Sequence, residues 1–539
     1  GLFLLLFSSL MMSSQWIAID SQEPARFQAR SLSSDIQTTS LEFHLQGYSL
    51  APIQTPWGEQ FKIETEGGSS IMEAGTPDLD QMFSSIIIPD NALMNLEVIS
   101  SSYIEIEDIE VAPSKGNFSR MINPSDVAFI QGDTYLEDGF FPGKLADLRE
   151  PYILRDFRGQ TVVSYPFQYN PVSKVLRIYT DMTIRVSQEG QGQKNVLQRS
   201  SSIDKLDNEF KAIYSHQFIN FDQEDTRFEY LVDQGNMLVI CSDEFMDEMQ
   251  SFVEWKNRKG IPTEMVSVSS VGSNSGSIES YVSNYYYENN LAYLLLVGDV
   301  AQIPTPIING ASSDPSYGFI DGNDSFAEVI VGRFSANNPG ELQTQIDRSL
   351  NYEQNPLEVD HFDNALGIAS NQGPGYGGLG DDQFNDLLWN DFLSGYTYEN
   401  FEGIYDPSGS VSQGMDAINA GVGVINYTGH AGPTGWGNGA PLGVNDVHQL
   451  TNTDKLPFIF TVGCNPGEFN NYGECFCEAW LRATDSNGNP TGAVGHLGST
   501  ISQSWEPPMH GQWAMNAILT ESYENNISRS YGGIAVNGC

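Results

Sequence analysis

The chain has 539 residues and sets 69 Asp and Glu against 25 Lys and Arg, a formal charge of −44. So acidic a chain is a poor partner for nucleic acid or anionic membrane surfaces, which call for basic surface; a cationic substrate, divalent metal ions or a saline exterior suit it better. With 40% hydrophobic and 11% aromatic residues it can bury large cores, and its length suits about three domains.

Residues 1–12, GLFLLLFSSLMM, form an apolar run too short to cross a bilayer, which takes about 20 residues. It reads as the core of a secretory leader, with 1–20 as a partial signal peptide; no other stretch reaches membrane length. The expected location is therefore outside the cell, secreted or on a bacterial surface. Five cysteines are too few for a disulfide framework. From 21 to 225, short alternating segments between turn residues predict an all-β domain. Its strands fall at Thr39–Leu45, Ser84–Ile88, Thr161–Tyr165, Val175–Tyr179 and Thr183–Val186. Polar residues 190–212 read as a linker, and the β-rich region with its linker is bounded at 21–227.

From Met237 apolar runs alternate with amphipathic runs of helix length. Strands are predicted at Met237–Cys241, Ala292–Val297, Glu328–Gly332, Ala365–Ile368, Gly423–Tyr427, Phe458–Val462 and Ala493–Leu497. Helices are predicted at Asp243–Lys259, Ile278–Asn289, Pro339–Glu353, Asp382–Leu393, Val411–Ala420, Glu474–Ala483 and His510–Ser522. This order makes 228–539 an α/β domain with a parallel sheet covered on both faces.

Ligands of such sheets bind beyond the carboxyl ends of the strands. Two consecutive strands end in Asn426-Tyr427-Thr428-Gly429-His430-Ala431-Gly432 and in Gly463-Cys464-Asn465-Pro466-Gly467-Glu468. If the strands are neighbours, His430 and Cys464 converge. A thiolate nucleophile beside an imidazole is a catalytic pair, and flanking glycines let a substrate backbone approach. A buried structural cysteine beside a capping histidine is the bland alternative.

These residues lie in strings that resemble the gingipain family of clan CD cysteine peptidases. The strings are VINYTGHAGPTGWG, LPFIFTVGCNPGEFN, ECFCEAWLRA and STISQSWEPPMHGQ, with LLLVGDVAQIP, GNDSFAEVIVGRF and LQTQIDRSLNYE upstream. The likeness runs through about 230–539 and is strongest to arginine-specific members. It implies a caspase-like α/β catalytic domain preceded by an inhibitory β-rich prodomain, acting on protein and peptide substrates.

By that resemblance Cys464 is the nucleophile and His430 the general acid and base, with the backbone N–H groups of Cys464 and Ala431 as oxyanion donors. The family usually has Gly where this chain has Ala431. It also places a carboxylate, to orient the histidine, where this chain has Ser370-Asn371-Gln372-Gly373; Gln372 or Asn371 is the amide available for that task. Asp382, with Trp505 and Gln503, falls at the arginine pocket, where a carboxylate and an indole face suit a guanidinium. Asp382 also reads as a helix N-terminal charge, and Asp381 beside it leaves the register open. The resemblance further implies structural calcium held by Asp299, Asp324 and Glu328 with the carbonyls of Asp321 and Phe326; spacing alone gives only an acidic turn. Arg227–Phe228, at the prodomain junction, is the expected self-processing site. Two other readings stay open: a processing peptidase of the type IX secretion system, and a catalytically inactive binding or adhesin relative.

Overall fold

The computed structural model describes residues 14–35, 37–198, 205–221, 229–230, 235–356, 360–523 and 526–539. The apolar run 1–12 and the expected processing residues Arg227 and Phe228 lie outside the described residues. The chain folds into two compact units whose division does not follow chain order.

The first unit comprises residues 1–117, 127–151 and 159–193 and is built of antiparallel strands. Its longest ladder pairs Val175–Gln191 with Ala92–Ile106 through three register irregularities, and Val175–Gln191 also pairs with Thr38–His44. The two segments expected at 175–179 and 183–186 are thus one strand. Alternation explains the pairing: Leu41, Phe43, Ile178, Ile184 and Val186 are buried, while Arg177 and Arg185 point outward to Glu105 and Glu97. Gln15–Ala18, inside the expected 1–20 leader, is a strand paired with Gly47–Leu50.

The second unit comprises 118–126, 152–158 and 194–539, so two short pieces of the β-rich region belong to it. Its two larger sheets are parallel. One has the order Thr263–Ser267, Asn236–Cys241, Leu291–Val297, Ile330–Phe334. The other runs Asn400–Tyr405, Asn364–Ala369, Val424–Thr428, Phe458–Val462, Gly495–Leu497. The five-stranded sheet is covered on both faces. Leu366, Ile368, Ile425, Tyr427 and Ile459 pack with Ile418 and Trp480, while Ala365, Val424 and Phe460 pack with Met515 and Ile518. The edge strands Thr263–Ser267 and Asn400–Tyr405 are absent from the sequence expectation because edge position leaves them mixed in polarity and only partly buried. The expected linker also contains structure: Asn208–Gln217 is a helix whose N-cap Asp207 accepts the N–H groups of Glu209 and Phe210. Among the described residues no helix is long and apolar enough to cross a membrane.

Candidate active site

Val424–Thr428 and Phe458–Val462 are adjacent and parallel, with Thr428 opposite Val462. His430 and Cys464 each follow two residues later, so they leave the sheet in step at its carboxyl edge. The Gly429 N–H to Val462 carbonyl bond, 3.1 Å, carries the pairing one step beyond the strands. A Cβ at Gly463 would stand 2.7 Å from that of Ala431; glycine there lets the two expected oxyanion-donor segments lie side by side. Cys464 is 1% exposed, its Sγ 3.9 Å from the Gln503 carbonyl oxygen. The next residue, Asn465, sits in the left-handed region at φ 61°, a strained conformation often found at functional sites.

His430 is held from two sides. Its backbone N–H donates to Asn438 Oδ1 at 2.8 Å, and Asn438 in turn donates to Asp406 at 2.7 Å. Its Nε2 lies 3.0 Å from Gln372 Oε1. An amide oxygen only accepts, so Nε2 carries the proton and Nδ1 keeps its lone pair. Of the two amides considered from sequence, Gln372 reaches the ring and Asn371 is exposed. Burial, then the nearby Arg120 charge, lower the His430 pKa against the opposing pull of Asp381 and Asp406, which keeps the imidazole neutral.

Arg120, from the 118–126 segment, fills a pocket beside this pair and is fully buried. Its Nη1 donates to both oxygens of Asp381 at 2.9 and 2.8 Å, and its guanidinium carbon lies 4.3 Å from the Trp505 ring centroid. Its backbone N–H donates to the Gln503 carbonyl at 2.8 Å, and Ser119 bridges Ser504 in antiparallel sense. The Gln503 side chain accepts from the Gly463 N–H at 2.8 Å. Trp505 and Gln503 thus both meet the Arg120 segment, and of the two adjacent aspartates it is Asp381, not the Asp382 expected at an arginine pocket, that meets its guanidinium. Asp381 is the buried carboxylate, bonded also by Ser370 Oγ at 2.5 Å, and its own N–H reaches the Gln372 carbonyl at 2.9 Å. Neighbouring helix residues point about 100° apart, so only one of the pair faces inward. Asp381 shares the buried face with Phe384, Asn385 and Leu388, a 3.6-residue periodicity that would have fixed the register in advance. Arg120 itself had no signal in the sequence.

The five expected calcium residues do not form one site. Asp299 follows Leu291–Val297 at its carboxyl edge, where Arg482 at 2.9 Å and Asn337 at 2.8 Å hold it. Asp324 and Glu328 precede Ile330–Phe334, whose register with the same strand puts them at the opposite edge, roughly 20 Å away. There Glu328 Oε2 accepts the N–H groups of Ile320 and Asp321 at 2.7 and 3.2 Å, and Asp324 Oδ1 accepts that of Phe326 at 3.1 Å. Burial raises the Asp324 pKa and pushes Glu328 up to about 8. Among the described residues no Lys or Arg side chain pairs with either carboxylate, and no three His, Cys, Asp or Glu side chains are grouped to hold a metal.

With this geometry in hand, comparison with known proteins is specific. The family model for peptidase family C25 matches residues 231–538, and the C25 propeptide model matches residues 21–227. Gingipain R2 of Porphyromonas gingivalis is 40% identical over 521 residues, which span 95% of this chain and 70% of that protein. Gingipain R1 of the same organism is 39% identical over 516 residues, 94% of this chain and 51% of that one. Among solved structures, the Arg-specific cysteine proteinase gingipain R aligns at TM-score 0.55 and 41% identity, covering 56% of this chain and 71% of its own. A complex of the pro- and mature domains of a Porphyromonas gingivalis gingipain aligns at TM-score 0.54 and 41% identity, covering 56% and 73%.

Proposed function

Because the chain belongs to peptidase family C25, a cysteine endopeptidase made with its own inhibitory propeptide, we propose that it cuts peptide bonds after arginine, with Cys464 as nucleophile and His430 as general acid and base. The observation that carries this reading is the arginine already seated beside the pair, between Asp381 and Trp505. A substrate arginine entering the same pocket brings its carbonyl carbon to the Cys464 thiol. Nδ1 of His430 takes the thiol proton as sulfur attacks, the backbone N–H groups of Cys464 and Ala431 receive the oxyanion, and the imidazolium protonates the leaving amine. Water then hydrolyses the thioester. In the latent chain Arg120 occupies the pocket, so pocket and inhibitor share one chemistry. Short peptides ending in Arg, Lys or Asn test the proposal on processed enzyme: arginine is expected to be preferred by about 100-fold or more. Preference for Lys or Asn would discard the pocket assignment.

Gln372 fixes the tautomer of His430 but supplies no charge. Replacing it with Glu places a carboxylate on Nε2, which favours the imidazolium and raises the histidine pKa. Since the neutral ring is the base, the acid limb of the kcat/KM–pH profile is expected to move to higher pH in Gln372→Glu. An unmoved limb would remove Gln372 from the mechanism.

Calcium is proposed at the 321–328 loop alone, from Asp324 and Glu328 with the carbonyls of Asp321 and Phe326, without Asp299. A buried and a half-buried carboxylate, without a basic partner among the described residues and next to main-chain oxygens, are a donor set that a hard cation accepts. Bound, the ion would neutralise this buried charge and brace the loop. Chelation is expected to lower Tm by about 5 °C or more in the wild type and to have no effect in Glu328→Gln, by calorimetry. An equal shift in both proteins would place the ion elsewhere.

A further inference from the structure

We infer that the peptidase carries a second guanidinium site, remote from Cys464, and that Arg155 of the pro-region fills it and thereby retains the pro-region on the enzyme. The inference rests on residues 21–227 being the propeptide and is independent of which residue the enzyme cuts after.

Arg155 belongs to the 152–158 segment of the second unit and is 4% exposed. Its Nη1 donates to the Leu291 carbonyl at 2.6 Å and the Glu328 carbonyl at 2.8 Å; its Nη2 donates to Asn290 Oδ1 at 2.6 Å. Nε faces Asp156 at 3.8 Å. On the peptidase side the guanidinium carbon lies 5.2 Å from the Tyr286 ring centroid; Phe210 of the pro-region itself closes the other side at 4.6 Å. Asn290 is the left-handed C-cap of the helix Ser275–Asn289, so the site sits at the negative end of a 15-residue helix. Two of the acceptors are backbone oxygens beside strand starts, and the third is the side-chain oxygen of the helix cap. Arg155 itself takes φ 48°, a conformation its surroundings must hold in place. Neighbouring contacts run the same way: the Ile153 N–H donates to Asp324 at 2.9 Å, the Arg155 N–H to Glu328 Oε1 at 3.3 Å, and Tyr152 stacks on Phe326 at 3.8 Å.

The comparison with Arg120 assigns the roles. Arg120 blocks the catalytic pocket, yet its buried Nε and Nη2 have no hydrogen-bond partner among the described residues. Two buried donors left unpaired offset part of what the Asp381 pair contributes to holding this segment. Arg155 places both of its terminal nitrogens on good acceptors, at the amino edge of the four-stranded sheet, whereas Cys464 lies at the carboxyl edge of the five-stranded one. Blocking and retention are thus separate: one arginine obstructs chemistry, the other sets how long the cut pro-region stays.

The test uses the full chain after self-processing, as wild type, Arg155→Met, Arg155→Lys and Arg120→Met. Gel filtration reports retention of the pro-region, and iodoacetamide, which needs no side-chain pocket, reports access to Cys464 by mass spectrometry of the labelled peptide. Wild-type fragments are expected to co-elute. Arg155→Met should weaken retention by about 100-fold, and Arg155→Lys, which keeps the charge but loses the fork, by an intermediate factor. Arg120→Met should leave the fragments together but open Cys464 to the reagent. Retention in both Arg155 variants within threefold of wild type overturns the inference. Wild-type fragments that do not co-elute overturn the propeptide premise along with it.

Discussion

Replacing Cys464 with alanine is expected to abolish peptide hydrolysis, a loss of about a millionfold in kcat, the scale seen when a peptidase nucleophile is deleted. The same substitution should leave the chain uncut at its pro-region junction. No other thiol is placed to substitute. Cys241 is buried at the end of its strand and Cys475 at the N-cap of the helix Phe476–Arg482, and burial pushes the Cys241 thiol up to about 12 and raises those of Cys475 and Cys477 as well. A thiol so disfavoured as thiolate is neither nucleophile nor proton donor of use at neutral pH. His430→Ala should cost nearly as much, and the double variant little more than either single one, because nucleophile and base act as one unit. Single-turnover kinetics on an arginine-ending peptide, with mass spectrometry of the purified chain, check both parts. Thiol-sensitive hydrolysis surviving in Cys464→Ala would move the nucleophile elsewhere.

The convergence of His430 and Cys464 at one sheet edge was legible because short-range rules govern it. Apolar strands ending in Gly-rich turns fix where a parallel sheet presents side chains, and the equal two-residue step past Thr428 and Val462 puts His430 and Cys464 in line. Gln372 was legible as one of two amides; only the packed loop shows that Ser370 and the start of the Asp381–Asp391 helix aim it at the imidazole. What escaped is long-range. Arg120 is 261 residues from the carboxylate it meets, in a loop with no periodicity to mark it. Asp299 and Glu328 read as one acidic set, yet parallel register sends them to opposite ends of neighbouring strands. The helix Asn208–Gln217 looked like a linker because its polar face dominates, while Phe210, Ile213 and Tyr214 supply the buried side.

The Asp381 and Asp382 variants separate the one-residue question most sharply. Asp381→Asn in the processed enzyme is expected to lower kcat/KM for arginine-ending peptides by about 100- to 1000-fold, since it removes one partner of a buried, bidentate charge pair, a change that costs about 2–5 kcal/mol. Asp382→Asn should stay within about twofold, because its carboxylate is partly exposed and off the pocket face. The loss should fall on arginine far more than on other residues tested, so the selectivity ratio collapses with the rate. The latent chain gives an independent reading of the same contact. With Asp381 neutral, Arg120 is left buried with no counter-charge, a state that costs about 3–5 kcal/mol and that the pocket relieves by expelling it. Asp381→Asn should therefore expose Cys464 to alkylation before processing, while Asp382→Asn remains protected. Equal losses in the two variants would return the pocket to the ambiguity of adjacent aspartates. A larger loss in Asp382→Asn would mean that a substrate arginine seats differently from Arg120, and that the inhibitor only approximates the substrate it excludes.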